Sequence, residues 1–147
     1  MTIEPIIKEV IINAPASKVW AALTEGEQLA KWFHESDDYT GETGKTFHMD
    51  VVHEGKNYMH TLTIMEKENE KKLGLEWHIA GDPGKTYVTY ELAPVGESTK
   101  VTVTHSGFNM LSPAKDAIKS REDYNGGWDH VLFSLLKPYV ETGKINS

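Results

Sequence analysis

The spacing of the apolar residues changes near Phe47 from the period of a helix to the period of a strand. From there to His105, apolar side chains recur at every second position in successive segments separated by polar stretches such as ENEKK. Alternation gives each strand one apolar and one polar face, and short turns join such strands antiparallel. The pattern predicts an antiparallel meander whose apolar face another element must cover. The residues predicted to face inward are Phe47, Met49, Val51, Tyr58, His60, Leu62, Ile64, Leu73, Leu75, Trp77, Ile79, Thr86, Val88, Tyr90, Leu92, Val101, Val103 and His105.

Helical patterns lie on both sides of this meander. The first segment, IIKEVIIN, is rich in β-branched residues and predicts a strand that ends before Pro15. After it, Gly26 divides an apolar stretch with helical spacing into two short helices. Near the C-terminus, YNGGWDHVLFSLLKPYVETG predicts a long amphipathic helix, which is the candidate to cover the sheet. Its predicted apolar face consists of Tyr124, Trp128, Val131, Leu132, Leu135 and Tyr139.

Two glycines, Gly126 and Gly127, precede the large apolar Trp128 in this predicted helix. One hypothesis is that they let the helix backbone approach the strands closely, at a cost of about 1 kcal/mol each in helix propensity. The alternative is that they mark the N-terminal boundary of the helix. Pro138 predicts a kink near the end of the helix.

Composition and charge exclude several classes of protein. The 147 residues carry a formal net charge of −7 and no clustered basic face, so no nucleic-acid partner is expected. No apolar run approaches the ~20 residues that span a bilayer, and the N-terminus lacks the pattern of a signal peptide. The absence of cysteine fits a reducing compartment. We therefore expect one cytoplasmic domain over residues 1–147 that neither spans nor binds a membrane.

The chain contains seven histidines, but their spacing matches no known metal motif. His48 and Asp50 share one strand face and supply only two ligands, which makes a weak site. We expect no metal and no cofactor. No nucleophile is paired with a base, and Ser106 beside His105 does not qualify because adjacent strand residues point to opposite faces. The sequence thus offers no catalytic residues.

Five segments in order make the chain resemble a known family. They are APASKVWAALTEGEQLAKWF at 14–33, GETGKTFHMDV at 41–51, LGLEWHI at 73–79, TKVTVTHSGF at 99–108 and GGWDHVLFSLLKPYVETG at 126–143. Together they resemble the family of homologues of the activator of the heat-shock-protein-90 ATPase. This resemblance covers nearly the whole chain.

The resemblance implies an α+β helix-grip fold of the START-like (SRPBCC), birch-pollen-allergen-like superfamily. In this fold a curved antiparallel sheet of about six to seven strands surrounds a long C-terminal helix, with two short helices after strand 1 and a cavity between sheet and helix. The superfamily implies binding of a small hydrophobic ligand, either lipid-like or flat and aromatic. Two alternatives stay open: a chaperone-associated or stress-response interaction module whose partner is a heat-shock-protein-90-type chaperone, and a cyclase-like enzyme.

The inward faces of three strands and the helix face that covers them predict where such a ligand would lie. The predicted ligand-binding residues are Leu75, Trp77, Val88, Tyr90, Val103, His105, Trp128, Leu132 and Leu135. His105 is the polar member of this set, and we expect a neutral ring nitrogen to orient a hydroxyl or carbonyl group of the ligand. A hydrogen-bonded core histidine is the alternative interpretation.

Overall fold

The computed structural model describes residues 4–34, 36–53, 55–78, 84–108 and 117–145. Six strands form one curved antiparallel sheet in the order β1-β6-β5-β4-β3-β2. The first strand is therefore an edge strand that pairs with the last, and Ile6 lies opposite His105. The strand bounds are β1 Ile6–Ile12, β2 Thr46–His53, β3 Lys56–Glu68, β4 Lys72–His78, β5 Thr86–Val95 and β6 Ser98–Ser106.

The sheet has the inward and outward faces that the alternation predicts. Every predicted inward residue whose side chain is described is buried, from Phe47 on β2 to His105 on β6. Ile79 and the side chains of Val51 and Tyr58 lie outside the described residues. The two-residue period of the apolar side chains thus predicted the buried face of the sheet correctly.

Two short helices follow β1, as predicted. Helix α1 spans Ala16–Thr24 and α2 spans Gly26–Trp32. They are held together at the end of α2, because the indole Nε1 of Trp32 donates a hydrogen bond of 2.7 Å to the carbonyl of Ala22. Trp32 is buried, and Phe33 beside it is partly buried.

The C-terminal helix runs through residues 117–142 in three consecutive parts. Helix α3 spans Ala117–Asp129, a π-helical segment spans His130–Leu136, and α4 spans Lys137–Thr142. A π helix bonds each N–H to the carbonyl five residues earlier and has a wider turn than an α helix. Pro138 is the second residue after this segment, so the irregularity predicted near the helix end lies mainly before the proline, in the seven residues His130–Leu136.

The fully buried side chains of this helix recur every four residues from the end of α3 to α4. They are Trp128, Leu132, Leu136 and Val140. The predicted residues Tyr124, Val131, Leu135 and Tyr139 are partly buried at the margins of this stripe. Leu136 therefore takes the buried position predicted for Leu135, because the wide π turn keeps residues four apart on one side of the helix.

Polar side chains of the C-terminal helix bind the backbone along and beside β1. The guanidinium of Arg121 donates to the carbonyls of Glu4 at 2.6 Å and Pro5 at 3.1 Å. Farther along, the ammonium of Lys137 donates to the carbonyl of Ile11 at 2.5 Å, and the N–H of Asn13 donates to the Glu141 carboxylate at 2.7 Å. These hydrogen bonds attach the C-terminal helix to the edge strand near both ends of β1.

Both hypotheses about Gly126 and Gly127 are wrong. The helix already begins by Ala117, so these glycines are not its boundary. Both residues are exposed, and a Cβ atom added at either would meet none of the described residues within 4 Å. They permit no close approach to the strands, and nothing in the structure explains their presence.

Replacing either glycine should therefore stabilise the protein. We expect Gly126→Ala and Gly127→Ala each to raise the free energy of unfolding by about 0.5–1 kcal/mol, because alanine loses less backbone entropy in a helix. Urea unfolding measures this change. Gly107→Ala is the opposite control, since Gly107 has φ +92° and an added Cβ would lie 3.3 Å from the carbonyl oxygen of Lys85. A loss of stability at position 126 or 127 would contradict the exposed placement.

Candidate ligand-binding interior

The imidazole of His105 lies at the centre of a buried hydrogen-bond chain between the C-terminal helix and the sheet. The indole Nε1 of Trp128 donates to His105 Nδ1 at 3.0 Å. On the other side of the ring, His105 Nε2 lies 2.8 Å from the Thr86 hydroxyl, which in turn donates to the carbonyl of Trp77 at 3.2 Å. This chain joins the helix to β6, β5 and β4.

The hydrogen bond from Trp128 fixes the protonation of His105. An indole nitrogen only donates, so Nδ1 must be the unprotonated acceptor and the proton must reside on Nε2. Burial, and secondarily the proximity of His60, lowers the pKa of His105 to about 3. The ring is therefore neutral at physiological pH, and both of its nitrogens are bonded within the protein.

Aromatic side chains fill the space around His105. The ring centroid of Phe108 lies 4.6 Å from that of His105, and the centroid of Tyr124 lies 5.0 Å from it. Gly107 makes the first contact possible, because its positive φ turns the chain at the end of β6. The volume between the C-terminal helix and this part of the sheet is packed with rings.

A second polar group of side chains lies beside this cluster. His60 Nε2 and the hydroxyl of Tyr124 share a hydrogen bond of 2.5 Å. Burial raises the pKa of the Tyr124 phenol, and the nearby indole N–H of Trp77 partly offsets that effect. Nevertheless, this N–H is buried and has no partner in hydrogen-bond geometry. Trp77 thus presents an unsatisfied donor inside the protein.

An apolar cavity of about 20 Å³ is lined in part by Trp77. Its volume suits about one water molecule, whereas pockets for small molecules measure roughly 300–1,000 Å³. The inner faces of β2–β5 form its floor, and the two short helices and the segment after them form its roof. The lining residues are Leu23, Leu29, Phe33, Tyr39, Phe47, Met49, Leu62, Ile64, Leu73, Leu75, Trp77 and Tyr90.

The structure separates the nine predicted site residues into those that line the cavity and those that lie in the packed interior beside it. Leu75, Trp77 and Tyr90 line the cavity. Val88 lies between Leu75 and His105 in the sheet register, and Tyr90 lies opposite Val103. Leu132 is fully buried and Leu135 partly so. The set falls into three cavity-lining residues and six in the packed interior beside the cavity: Val88, Val103, His105, Trp128, Leu132 and Leu135.

The predicted role of His105 requires correction. A ligand would need a free ring nitrogen, but Trp128 and Thr86 occupy both. The alternative interpretation, a hydrogen-bonded core histidine, is confirmed. Alternation correctly placed the ring inside, but it carries no information on which side chains from distant segments reach the ring.

The roof of the cavity is a feature that the sequence did not reveal. Tyr39 and Phe33 are both partly buried there, and the Tyr39 hydroxyl donates to the carbonyl of Thr24 at the end of α1. The Tyr39 ring also meets that of Phe47 edge to face, with centroids 4.8 Å apart. Burial raises the pKa of Tyr39 to about 12. Gly26 was the available signal, since a Cβ atom added there would lie only 3.1 Å from the Tyr39 ring.

The histidines form no metal centre within the described residues, where no group of three or more potential ligands is found. His48 does not pair with Asp50 in the way considered from the sequence. Instead its Nδ1 contacts the carboxylate of Asp38 at 2.6 Å. That contact lowers the pKa of Asp38 to about 2. Both side chains lie on the exposed side of β2.

Thr86 and His105 resemble a nucleophile and its base, yet their chemistry is different. The nitrogen facing the hydroxyl already carries the proton, so it cannot accept another from Thr86. The hydroxyl in turn donates to a backbone carbonyl. This pair therefore gives no support to the cyclase-like alternative.

Among the described helices, none has the length and apolar character needed to cross a membrane.

Comparisons with known proteins agree with this architecture. The model of the family described as "Activator of Hsp90 ATPase homolog 1-like protein" matches residues 13–141. No curated protein matches the chain significantly. Among solved structures, DynU16, described as a putative protein in the dynemicin biosynthetic locus, is 23% identical with a TM-score of 0.79. That alignment covers 98% of this chain and 49% of DynU16, so the chain spans about half the length of that relative.

Two other solved structures match along nearly their whole length. The Aha1 dimer from Colwellia psychrerythraea is 24% identical with a TM-score of 0.72, and the alignment covers 97% of this chain and 99% of that one. CV1439 from Chromobacterium violaceum is 20% identical with a TM-score of 0.78, with coverage of 93% and 96%. At these identities the likeness shows the fold alone, which is the predicted helix-grip fold.

The neutral His105 makes stability depend on pH. Its pKa in the folded protein lies below the ordinary value of about 6.5, so between these values the unfolded chain binds more protons. The contribution is fully present above about pH 6.5 and is lost as pH falls toward 3. We expect the free energy of unfolding to fall by up to about 1.4 kcal/mol per pH unit from this group, and His34, whose pKa burial also lowers, acts in the same direction.

Urea unfolding between pH 6.5 and pH 5 measures this dependence above the range in which carboxylates titrate. His105→Gln should show a shallower decline than the parent protein. His130→Gln is the matched control, because it makes the same substitution at an exposed histidine outside the buried hydrogen-bond chain. A His105→Gln variant with the slope of the parent would mean that His105 is not held neutral.

Proposed function

The chain belongs to the family of activator of Hsp90 ATPase homolog 1-like proteins, and on that premise we propose that it binds a small hydrophobic molecule, lipid-like or flat and aromatic, in its interior. The observation that carries the proposal is the apolar cavity behind a roof of partly buried side chains. The strands supply a rigid floor, while the roof comes from short helices and the loop after them. Such an arrangement suits a site that opens at its roof.

The roof must move for a ligand to enter, because the cavity of about 20 Å³ is too small for one. Phe33 and Tyr39 are the side chains that reach both the cavity and the surface. Tyr39 closes the site through its bond to Thr24 and its contact with Phe47. Displacing these two rings opens the cavity to solvent without breaking any strand pair of the sheet.

Each predicted ligand-binding residue has a place in this proposal. Leu75, Trp77 and Tyr90 form the surface that the ligand contacts. The other six residues form the packed wall next to it, with the His105 chain holding that wall in place. The wall comprises Val88, Val103, His105, Trp128, Leu132 and Leu135. A flat apolar molecule fits between this wall and a displaced roof.

Native mass spectrometry of the protein purified from its own host tests the proposal. An additional bound mass of a few hundred daltons, released on unfolding, is the expected result. Amide resonances then locate the site, since a flat apolar probe should shift those of β3–β5 and of the roof near Phe33 and Tyr39. Shifts confined to the outward face of the sheet would contradict an interior site.

Enlarging the cavity provides a sharper test of its position. We expect Leu29→Ala to bind a flat apolar probe more tightly than the parent does, because Leu29 lines the cavity. The same change should lower the free energy of unfolding by about 2–5 kcal/mol. Leu136→Ala is the matched control: it removes another buried leucine, one that does not line this cavity. It should cost similar stability without the gain in affinity, as calorimetric titration would measure.

A second candidate function is binding to an Hsp90-type chaperone through the outer surface. The description of the family and the end-to-end match with the Colwellia Aha1 structure favour it. The chain offers two exposed apolar side chains on the outward side of β1, where Ile7 is 61% and Ile11 42% exposed. An exposed pair on an edge strand is a suitable contact for a protein partner.

Co-precipitation with the Hsp90 homologue of the host, together with its ATPase rate, separates the two candidates. If the chaperone is the partner, Ile7→Glu should abolish co-precipitation and stimulation. Val95→Glu should leave both unchanged, because Val95 is similarly exposed but lies at the far end of β5. No retention of the chaperone by the parent protein would exclude this candidate.

A further inference from the structure

We propose that the indole N–H of Trp77 is the polar anchor of the site, so that the interior selects hydrophobic molecules carrying a hydrogen-bond acceptor such as a carbonyl oxygen. This inference rests on the proposed interior site and specifies the chemistry of its ligand. The expected anchor, a ring nitrogen of His105, is already hydrogen-bonded within the protein. The Trp77 N–H takes its place as a donor without a partner.

The main observation is that Trp77 Nε1 is buried without a partner. Trp77 is 3% exposed, and among the described residues Nε1 is the one buried side-chain nitrogen or oxygen found without a hydrogen bond. Two other tryptophans provide a comparison within the same protein. Trp32 donates to the Ala22 carbonyl and Trp128 to His105. Buried polar groups in native proteins are nearly always paired, so the exception indicates a missing acceptor.

The polar atoms around Trp77 are already engaged. Both nitrogens of His105 are bonded, and the Thr86 hydroxyl lies between His105 and a carbonyl. The Tyr124 hydroxyl is held by His60 at 2.5 Å and does not meet the Trp77 N–H in hydrogen-bond geometry. An indole can only donate. The molecule that satisfies Trp77 must therefore bring an acceptor.

The position of Trp77 connects this donor with the apolar cavity. One part of the side chain lines the cavity together with Leu75 and Tyr90. The same ring packs against His60, with centroids 5.4 Å apart, and against Trp128 at 6.0 Å. A ligand whose apolar body enters the cavity lies against the one side chain that also carries the unpaired donor. This geometry provides one polar contact in an otherwise apolar site.

Two flat probes of nearly equal shape test the inference, 2-acetylnaphthalene and 2-isopropenylnaphthalene. The second replaces the carbonyl oxygen of the first by a CH₂ group, so only the acceptor differs. The indole N–H resonances of the protein give a direct readout, with Trp32 and Trp128 as bonded references. We expect the ketone to move the Trp77 indole proton downfield and to bind about fivefold more tightly than the alkene.

Two variants identify the donor. Trp77→Phe keeps an aromatic ring but removes the N–H, and it should bind both probes with equal affinity. Tyr124→Phe removes a hydroxyl next to Trp77 and should keep the preference for the ketone. If Trp77→Phe does not fold, the indole resonance of the parent protein still decides the matter.

The outcomes separate this inference from the proposed function. Binding of both probes with equal affinity and an unmoved Trp77 resonance would overturn the anchor and leave the hydrophobic site intact. If Tyr124→Phe loses the preference for the ketone while Trp77→Phe keeps it, the anchor is Tyr124. That result would also overturn the assignment to Trp77. Binding of neither probe would count against the interior site itself, and the anchor would fail with it.

Discussion

The fold depends on a buried imidazole that must stay neutral and must bond on both sides. His105 meets these demands by accepting from Trp128 and donating to Thr86. Breaking either bond would leave a polar nitrogen in an apolar interior, which costs roughly 1–3 kcal/mol. Because the partners come from different elements, the bonds fix the rotation of the C-terminal helix against the sheet. Because apolar side chains occur at several spacings along the helix, more than one of its faces could pack against the sheet. The polar contact with His105 determines which face does.

The interior thus has two parts with different physical character. Between the C-terminal helix and β4–β6, rings and hydrogen bonds fill the space around His105, so this part has a single arrangement. Below the two short helices, the residues that line the cavity are mostly apolar, and Tyr39 contributes a hydrogen bond to Thr24. Apolar contacts are not directional, and the roof can shift at lower cost than the wall. Trp77 belongs to both parts, which is why its unpaired N–H bears on binding.

The periodicity of the sequence was sufficient to predict the sheet, its buried face and the covering helix. Alternation depends on the backbone of each strand alone, so Leu75 or Val103 could be assigned without knowledge of its neighbours. Pairs between distant segments carried no such signal, and the bond of His60 to Tyr124 joins residues 64 positions apart. The size of the cavity could not be predicted either. It is the small difference between two large volumes, the space enclosed by the sheet and helices and the total volume of the side chains that fill it.

The fastening of the C-terminal helix to β1 also bears on how the protein behaves when crowded. An edge strand presents unpaired backbone groups on which another chain can add a strand, and this is a common route to aggregation. Here the ammonium of Lys137 occupies the carbonyl of Ile11, and the Glu141 carboxylate occupies the N–H of Asn13. A second copy would have to displace both charged groups before it could extend the sheet past the end of β1. The side chains that bind the helix to the backbone of and beside β1 therefore also discourage this edge from acting as a template for fibril growth.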